Sequence, residues 1–144
     1  PIPSLIEGKS IFLAGSIEMG AAIDWQAEVT DALRTKKCTI FNPRRNDWDS
    51  SWEQKIENKQ FNEQVTWELT QLDRCDIIFM YFAPDTKSPI SLLELGLYAN
   101  ASKMIVCCPE GFWRKGNVDI VCNKYNIKVW NDLKSAINYL ELIV

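Results

Sequence analysis

Apolar residues occur along the chain in short blocks that predict alternating strands and helices. Residues 76–82 form an almost continuous apolar run, which is typical of a central parallel strand buried on both faces. Four further strands are predicted at residues 10–14, 38–41, 103–107 and 127–130. Together these runs indicate a sheet of five strands.

Helical spacing fills most of the segments between the strands. Helices are predicted at residues 21–36, 61–73 and 132–140, and the second has an apolar stripe of Phe61, Val65, Leu69 and Leu72. A further helix, capped by Ser88 or Ser91, carries Glu94. Residues 44–58 are polar and weakly periodic, so they predict a long loop, a kind of segment that often serves function.

The alternation of strands and helices predicts the fold class. It indicates one α/β domain over residues 1–144, with a flavodoxin-like, doubly wound, five-stranded parallel sheet and helices on both faces. Ligands bind such sheets at the carboxyl ends of the strands. That edge would gather Gly15, Ser16, residues 42–45, the loop 83–87 with Asp85, and the start of the Glu94 helix.

Glu94 is the first candidate for chemistry. It interrupts the otherwise almost wholly apolar stretch 91–99. A carboxylate in a buried helix is costly unless it is paired or used, which makes Glu94 a functional candidate. The alternative is a capping box, Ser91-x-x-Glu94, in which Glu94 only bonds a backbone N–H at the helix start.

Composition narrows the function classes. The 144 residues carry a net charge of −3, which argues against binding of a nucleic-acid polymer. No apolar run is long enough to span a membrane, and the N-terminal residues lack the layout of a signal peptide. Five cysteines without a CxxC motif indicate free thiols in a reducing compartment, so we expect a cytoplasmic protein.

The chain contains no histidine. This excludes Ser-His-Asp and Cys-His mechanisms and argues against a protein-bound transition metal. Acid–base or nucleophilic work therefore falls to carboxylates, Tyr, Lys or Cys.

Motifs in order along the chain carry a family resemblance. They are Phe12 to Ser16, Asn42-Pro43-Arg44-Arg45, Gln64-Val65-Thr66-Trp67-Glu68-Leu69, Cys75-Asp76, and Leu93 to Ala99. With these motifs the chain resembles the nucleoside 2-deoxyribosyltransferase family and its relatives, the deoxynucleotide N-hydrolases, over residues 10–140.

The resemblance implies an activity. Glu94 matches the family's nucleophile, which captures C1′ of a 2′-deoxynucleoside as a glycosyl-enzyme before a free nucleobase or water attacks. We expect the helix start to help keep Glu94 charged. Glu68 matches a second acid that handles the proton of the base or orients the sugar. The other interpretation of Glu68 is a flank carboxylate paired with Arg44, Arg45 or Arg74.

The resemblance also implies partners. The substrates are a 2′-deoxynucleoside and a free nucleobase, no metal or organic cofactor is required, and loops of a neighbour in a homo-oligomer complete the pocket. A hydrolase that uses water and a non-catalytic nucleotide-binding module on the same fold remain as alternatives.

Three positions depart from the family pattern, and at the first of them Glu68 stands where many relatives carry Asp. Phe12 stands where relatives often have Tyr, and Tyr81 or Tyr98 are candidates to replace that hydroxyl. Glu18 stands where the nucleotide hydrolases place an Arg that binds the 5′-phosphate. A carboxylate repels phosphate, so we expect a nucleoside as substrate. Arg44, Arg45 or Arg114 could instead bind a phosphate.

The remaining substrate-binding candidates are mostly aromatic. Trp25, Trp48 and Trp113 fall near the predicted sheet edge, and any of them could stack on the base. The turn Asp47-Trp48-Asp49 could instead bind a sugar hydroxyl.

Overall fold

A central parallel sheet organises the protein. The computed structural model describes residues 8–17, 23–44 and 53–144. Five strands form one sheet in the order β2-β1-β3-β4-β5, and each neighbouring pair is parallel. The strands are β1 (Lys9–Gly15), β2 (Cys38–Phe41), β3 (Ile77–Tyr81), β4 (Met104–Cys107) and β5 (Val129–Trp130). This confirms the predicted flavodoxin-like sheet, and every residue of β3 is buried, as expected for its central strand.

Helices cover both faces of the sheet. They are α1 (Trp25–Ala32), α2 (Lys59–Arg74), α3 (Pro89–Tyr98), α4 (Lys115–Lys124) and α5 (Leu133–Ile143), with a 3₁₀ turn (Ala99–Ala101) after α3. The core therefore has two layers. Helices α1 and α5 pack on one face of the sheet with Ile11, Leu13 and Phe79, and we call this the α1/α5 layer.

The other face of the sheet is covered by α2, α3 and α4. Leu72, Leu95 and Val118 from these three helices pack there with Phe12 and Met80 from the strands. We call this the α2/α3/α4 layer. Because side chains alternate along a strand, Cys107 lies in the first layer and Cys108 in the second.

Two elements differ from the sequence expectation. Helix α1 begins only at Trp25, where the Asp24 side chain accepts a hydrogen bond from the Ala27 N–H, and it ends at Ala32. Helix α4 was not predicted. Its buried face consists of Val118 and Cys122, which are correctly spaced for a helix, but β-branched residues and Asn obscure the helical signal.

The apolar stripe of α2 is only partly covered by this chain. Leu72 is fully buried, whereas Phe61 and Val65 are half-buried and Leu69 is exposed. The end of α2 is held by Lys103, whose Nζ donates to the carbonyl oxygens of Leu72, Asp73 and Cys75 at 2.6, 3.1 and 3.0 Å. A cation there complements the negative end of the helix dipole.

The ends of β1 and β3 approach each other closely. Gly15 has a φ of +134°, and a Cβ at this position would collide with the Tyr81 carbonyl. The Ser16 N–H donates to that same carbonyl at 2.9 Å. This approach fixes the carboxyl edge of the sheet, where a ligand of such a fold would bind.

Among the described residues, no helix is both long enough and apolar enough to cross a membrane.

Candidate active site

Glu94 lies well inside α3. The helix begins after Ser88, which has a left-handed backbone conformation (φ 48°) and makes no side-chain cap, and Pro89 occupies the first turn. Ser91 is therefore a residue of the first turn and not the N-cap, and Glu94 follows in the second turn. The capping-box interpretation of Ser91-x-x-Glu94 is wrong, because a capping box needs the Ser at the N-cap.

The Glu94 carboxylate is buried and has no partner in the part of the chain that the structure describes. The residue is 8% exposed, and no described group forms a hydrogen bond or ion pair with it. Burial raises the pKa of Glu94 to about 8, and the nearby Glu68 carboxylate adds to the rise. The expectation that the helix start keeps Glu94 charged is wrong, since that field fades within the first turn.

Glu68 faces Glu94 from the neighbouring helix α2. Burial raises the pKa of Glu68, and a hydrogen bond from Gln64 Nε2 to Glu68 Oε1 at 3.3 Å opposes the rise. No described Arg or Lys forms an ion pair with Glu68, so the pairing with Arg44 or Arg74 that the alternative interpretation gave does not form. Arg45 lies outside the described residues. The two helices thus bring together two poorly solvated carboxyl groups.

A hydrogen bond braces α3 against α2 beside these acids. The Tyr98 hydroxyl donates to Asp73 Oδ1 at 2.7 Å and contacts the Leu69 carbonyl oxygen at 3.4 Å. Tyr98 lies four residues after Glu94, on the same side of α3. Burial and the Asp73 carboxylate both raise the pKa of Tyr98, so its proton stays on the hydroxyl.

Neither candidate tyrosine replaces the hydroxyl missing at Phe12. The Tyr98 hydroxyl donates its hydrogen bond to Asp73, and Tyr81 lies in the α1/α5 layer against Trp25, with 5.5 Å between ring centroids. Phe12 is buried in the α2/α3/α4 layer, 6.2 Å from the ring of Trp67 between centroids. Glu94 therefore has no phenol partner in this structure.

Hydrogen bonds of the Ser16 hydroxyl connect the end of β1 to the residues that follow β3 and to the start of α3. This buried hydroxyl lies 2.9 Å from Thr86 Oγ1 and 2.6 Å from Ser88 Oγ, and it accepts a hydrogen bond from the Ala83 N–H at 2.8 Å. This cluster holds the loop that joins β3 to α3. Asp85 is exposed on the same loop, with a φ of 68°.

Trp25 belongs to the core and not to a substrate surface. It is 1% exposed, packs in the α1/α5 layer, and donates from Nε1 to the Ser16 carbonyl at 3.0 Å. No face of its ring is open to a base, so the prediction that Trp25 stacks on the substrate is wrong. Glu94, by contrast, lies on a helix of the other layer.

Asn42 and Arg44 join the end of β2 to the start of α1. The Asn42 side chain accepts from the Arg44 N–H at 3.0 Å. Arg44 Nη1 donates to the Ile23 carbonyl at 2.9 Å and to Gln26 Oε1 at 3.2 Å. Through these hydrogen bonds Arg44 holds the end of β2 against the start of α1.

Comparison with known families gives a match for this chain. A family model described as nucleoside 2-deoxyribosyltransferase like matches residues 8–112, which is well over half of the chain. The chain belongs to this family. Among curated proteins, none matches it. The matched span of the nucleoside 2-deoxyribosyltransferase-like family contains both Glu68 and Glu94, whereas α4, β5 and α5 lie beyond it.

Trp113 is not brought together with the two acids of this deoxyribosyltransferase-like chain. It contacts the start of α3, where its Nε1 donates to the Lys87 carbonyl at 2.9 Å, and it lines a groove between α3 and α4. Glu94 lies on the opposite flank of α3, toward α2. The candidates Asp47 and Trp48, together with Glu18, lie outside the described residues.

Sequence reasoning missed Gln64 and Asp73 as neighbours of the two acids. Both sit on α2, where Gln64 precedes Glu68 by four residues and Asp73 meets the tyrosine of α3. The Gln64–Glu68 spacing was visible in the sequence, because residues four apart meet on a helix surface. The Asp73–Tyr98 contact depends on how α2 and α3 pack, which no local spacing reveals.

Proposed function

We propose that the protein cleaves the N-glycosidic bond of 2′-deoxynucleosides and transfers the deoxyribosyl group to another nucleobase. The observation that carries this proposal is the pair of poorly solvated carboxyl groups on α2 and α3, of which Glu94 is buried and unpartnered among the described residues. Membership of the family supports it. Carboxyl groups with strongly shifted pKa values cluster at functional sites.

The proposed reaction has two steps. The Glu94 carboxylate attacks C1′, an O–C1′ bond forms, and the C1′–N bond breaks while the leaving nitrogen takes a proton from Glu68. An incoming base then attacks C1′, its nitrogen loses a proton to Glu68, and Glu94 leaves as a carboxylate. Burial raises the pKa of both carboxyl groups, so the pair holds a proton near neutral pH. In the free protein this proton lies mainly on Glu94, and the proposed reaction starts from the arrangement in which it has moved to Glu68 and Glu94 is ionised.

The substrate is proposed to be a nucleoside rather than its 5′-monophosphate. Glu18 would repel a phosphate. Arg44, a candidate phosphate ligand, donates to the Ile23 carbonyl and to Gln26, which leaves fewer of its N–H groups for a phosphate. Comparing kcat/KM for a nucleoside and its 5′-monophosphate tests this part. A strong preference for the monophosphate would contradict it.

A homo-oligomer is part of the proposal. Ile90, Leu93 and Leu97 are 60, 61 and 57% exposed and form one stripe along the helix that carries Glu94. An apolar stripe of this kind favours contact with a second copy of the chain. The cytoplasm is the proposed location, supported by five cysteines that all remain free thiols.

The main experiment incubates the protein with deoxynucleosides, each with and without a second free base, and follows products by chromatography. Exchange of bases supports the transferase, and release of base without exchange would identify a hydrolase. Binding without any product would identify a nucleotide-binding module, a result consistent with the hydroxyl missing at Phe12.

The nucleophile is tested in the same assay. Glu94→Gln should abolish turnover, while the exposed Glu63→Gln on α2 should keep it. A 2′-fluorinated deoxynucleoside should leave a sugar adduct on the peptide that contains Glu94, visible by mass spectrometry. Full activity of Glu94→Gln would exclude Glu94 as the nucleophile.

A further inference from the structure

A groove runs between α3 and α4, on the flank of α3 that faces away from α2. Its volume is about 480 Å³. Leu92 and Gly96 line it from α3, and Val118 and Val121 line it from α4. This volume lies in the range of small-molecule sites, roughly 300–1,000 Å³, and is small for a whole helix of a protein partner.

The groove ends at a positively charged aromatic corner. Trp113 and Arg114 line this end, and the Arg114 guanidinium carbon lies 4.5 Å from the centroid of the Trp113 ring. Lys87 Nζ lies 4.3 Å from the same ring. The hydrogen bond from Trp113 Nε1 to the Lys87 carbonyl fixes the indole between the two elements.

Arg114 gives the groove lining a positive charge. Arg114 is the charged residue of the groove lining, and none of the described lining residues is acidic. Within the described ranges, Arg114 also makes no ion pair. A guanidinium beside an apolar groove attracts a carboxylate, sulfonate or phosphate head, which its N–H groups can bind with two parallel hydrogen bonds.

We propose that this groove binds a small amphipathic organic anion. Its apolar or aromatic body lies between α3 and α4, and its acidic head lies on Arg114 beside the Trp113 ring. The site is separate from the Glu68–Glu94 pair, which lies across α3, and the proposal does not depend on the proposed transferase activity.

The test uses 8-anilino-1-naphthalenesulfonate, an aryl sulfonate whose fluorescence rises in apolar sites. Saturable binding with one probe per chain is expected. Gly96→Leu should fill the groove and weaken binding at least about tenfold. Outside the neighbouring backbone of α3, no heavy atom lies within 4 Å of a Cβ at Gly96, so the first atom of the added side chain meets no clash. Because Gly disfavours helices, the variant should also fold.

Further variants and an uncharged probe test the contribution of the Arg114 charge separately from that of the groove's shape. Arg114→Met should weaken the sulfonate by about tenfold or more, since a charge-assisted hydrogen bond is lost, but leave N-phenyl-1-naphthylamine, the same body without its charge, unchanged. Arg34→Met, at an exposed cation just after the end of α1, is the control and should change neither. Val121→Phe fills the groove from α4 and serves if Gly96→Leu does not fold.

The outcomes decide the proposal. Absence of saturable binding, or equal affinity in wild type, Gly96→Leu and Val121→Phe, would overturn it. Binding that falls steeply as the protein concentration rises would show that a second copy of the chain occupies the groove instead, and would also overturn it.

Discussion

At the scale of single residues, Glu94 determines what this site can do. Its carboxyl group is buried, lacks a described partner and lies near a second acid, so burial raises its pKa to about 8. Such a group costs stability when it is ionised, and the surrounding fold must supply that energy. An arrangement this costly is typical of functional residues and not of structural ones.

The destabilising effect of ionising Glu94 should appear in the free energy of unfolding. The folded protein keeps the proton of Glu94 up to a pH of about 8, whereas the unfolded chain loses it near the ordinary value of 4.5. The wild type should therefore lose stability as pH rises between these values. Glu94→Gln escapes this loss and should be more stable than wild type at pH 8, on the order of a few kcal/mol, but not at pH 4.5.

Urea unfolding at the two pH values measures this difference, with Glu63→Gln as the control that should not show it. A Glu94→Gln variant less stable than wild type at both pH values would mean that Glu94 makes stabilising bonds.

The pair of acids should also shape the pH dependence of activity. One proton shared by Glu94 and Glu68 is needed in the proposed reaction, so kcat/KM should be bell-shaped, with its alkaline limb near pH 8 where the pair loses that proton. In Glu68→Gln the residual activity should instead rise with pH and then stay level, because only Glu94 remains to ionise. An alkaline limb that persists in Glu68→Gln would assign it to another group.

At the scale of secondary-structure elements, the spacing of α2 and α3 controls the site. Each helix carries one acid, and the Tyr98–Asp73 hydrogen bond joins them one turn beyond Glu94. Lys103 holds the end of α2 through three carbonyl oxygens. The distance between the acids is thus fixed by bonds at the C-terminal ends of α2 and α3.

Loss of the Tyr98 hydroxyl should therefore change the relative positions of Glu68 and Glu94. Tyr98→Phe keeps the ring and removes the bond to Asp73, at a cost of about 1 kcal/mol in stability. It should lower kcat by about tenfold, because a small displacement of a catalytic group strongly reduces the reaction rate. It should also shift the alkaline limb of the pH profile, since the influence of Glu68 on Glu94 depends on their separation. Tyr139→Phe on α5 is the matched control and should have the kcat and the pH profile of the wild type.

At the scale of the whole molecule, one helical layer is less complete than the other. The stripe of Ile90, Leu93 and Leu97 on α3 and Leu69 on α2 leave large apolar side chains exposed. These helices also carry the two acids. A second copy of the chain that covered this surface would reach the neighbourhood of the proposed active site.

Assembly should depend on this stripe. Leu93→Lys combined with Leu97→Lys should convert the proposed oligomer to a monomer, because each buried Leu contributes about 1.5–3 kcal/mol and a buried Lys opposes contact. Sedimentation velocity over a range of protein concentrations measures this. Leu142→Lys, on the highly exposed end of α5, is the control that should leave assembly unchanged. A wild type that stays monomeric at all concentrations would contradict the proposal.

The sequence predicts the sheet better than it predicts the site. Buried strands such as residues 77–81 are continuous apolar runs, so their pattern is unambiguous. Glu94 was identified for the same reason, as a charge within an apolar segment. Trp25 was misassigned because nearness to a strand end along the chain does not say which face of the sheet a side chain joins. The Tyr98–Asp73 bond was missed because it depends on tertiary packing.

Cys107 and Cys108 allow the opening rate of each helical layer of the core to be measured. These consecutive thiols are both fully buried, one under α1 and α5 and the other under α2, α3 and α4. A thiol reagent reaches each one only while the helices above it are displaced. The labelling rate of each sulfur, resolved by fragmenting one peptide, would give the opening frequency of each helical layer separately in a single experiment without any substitution.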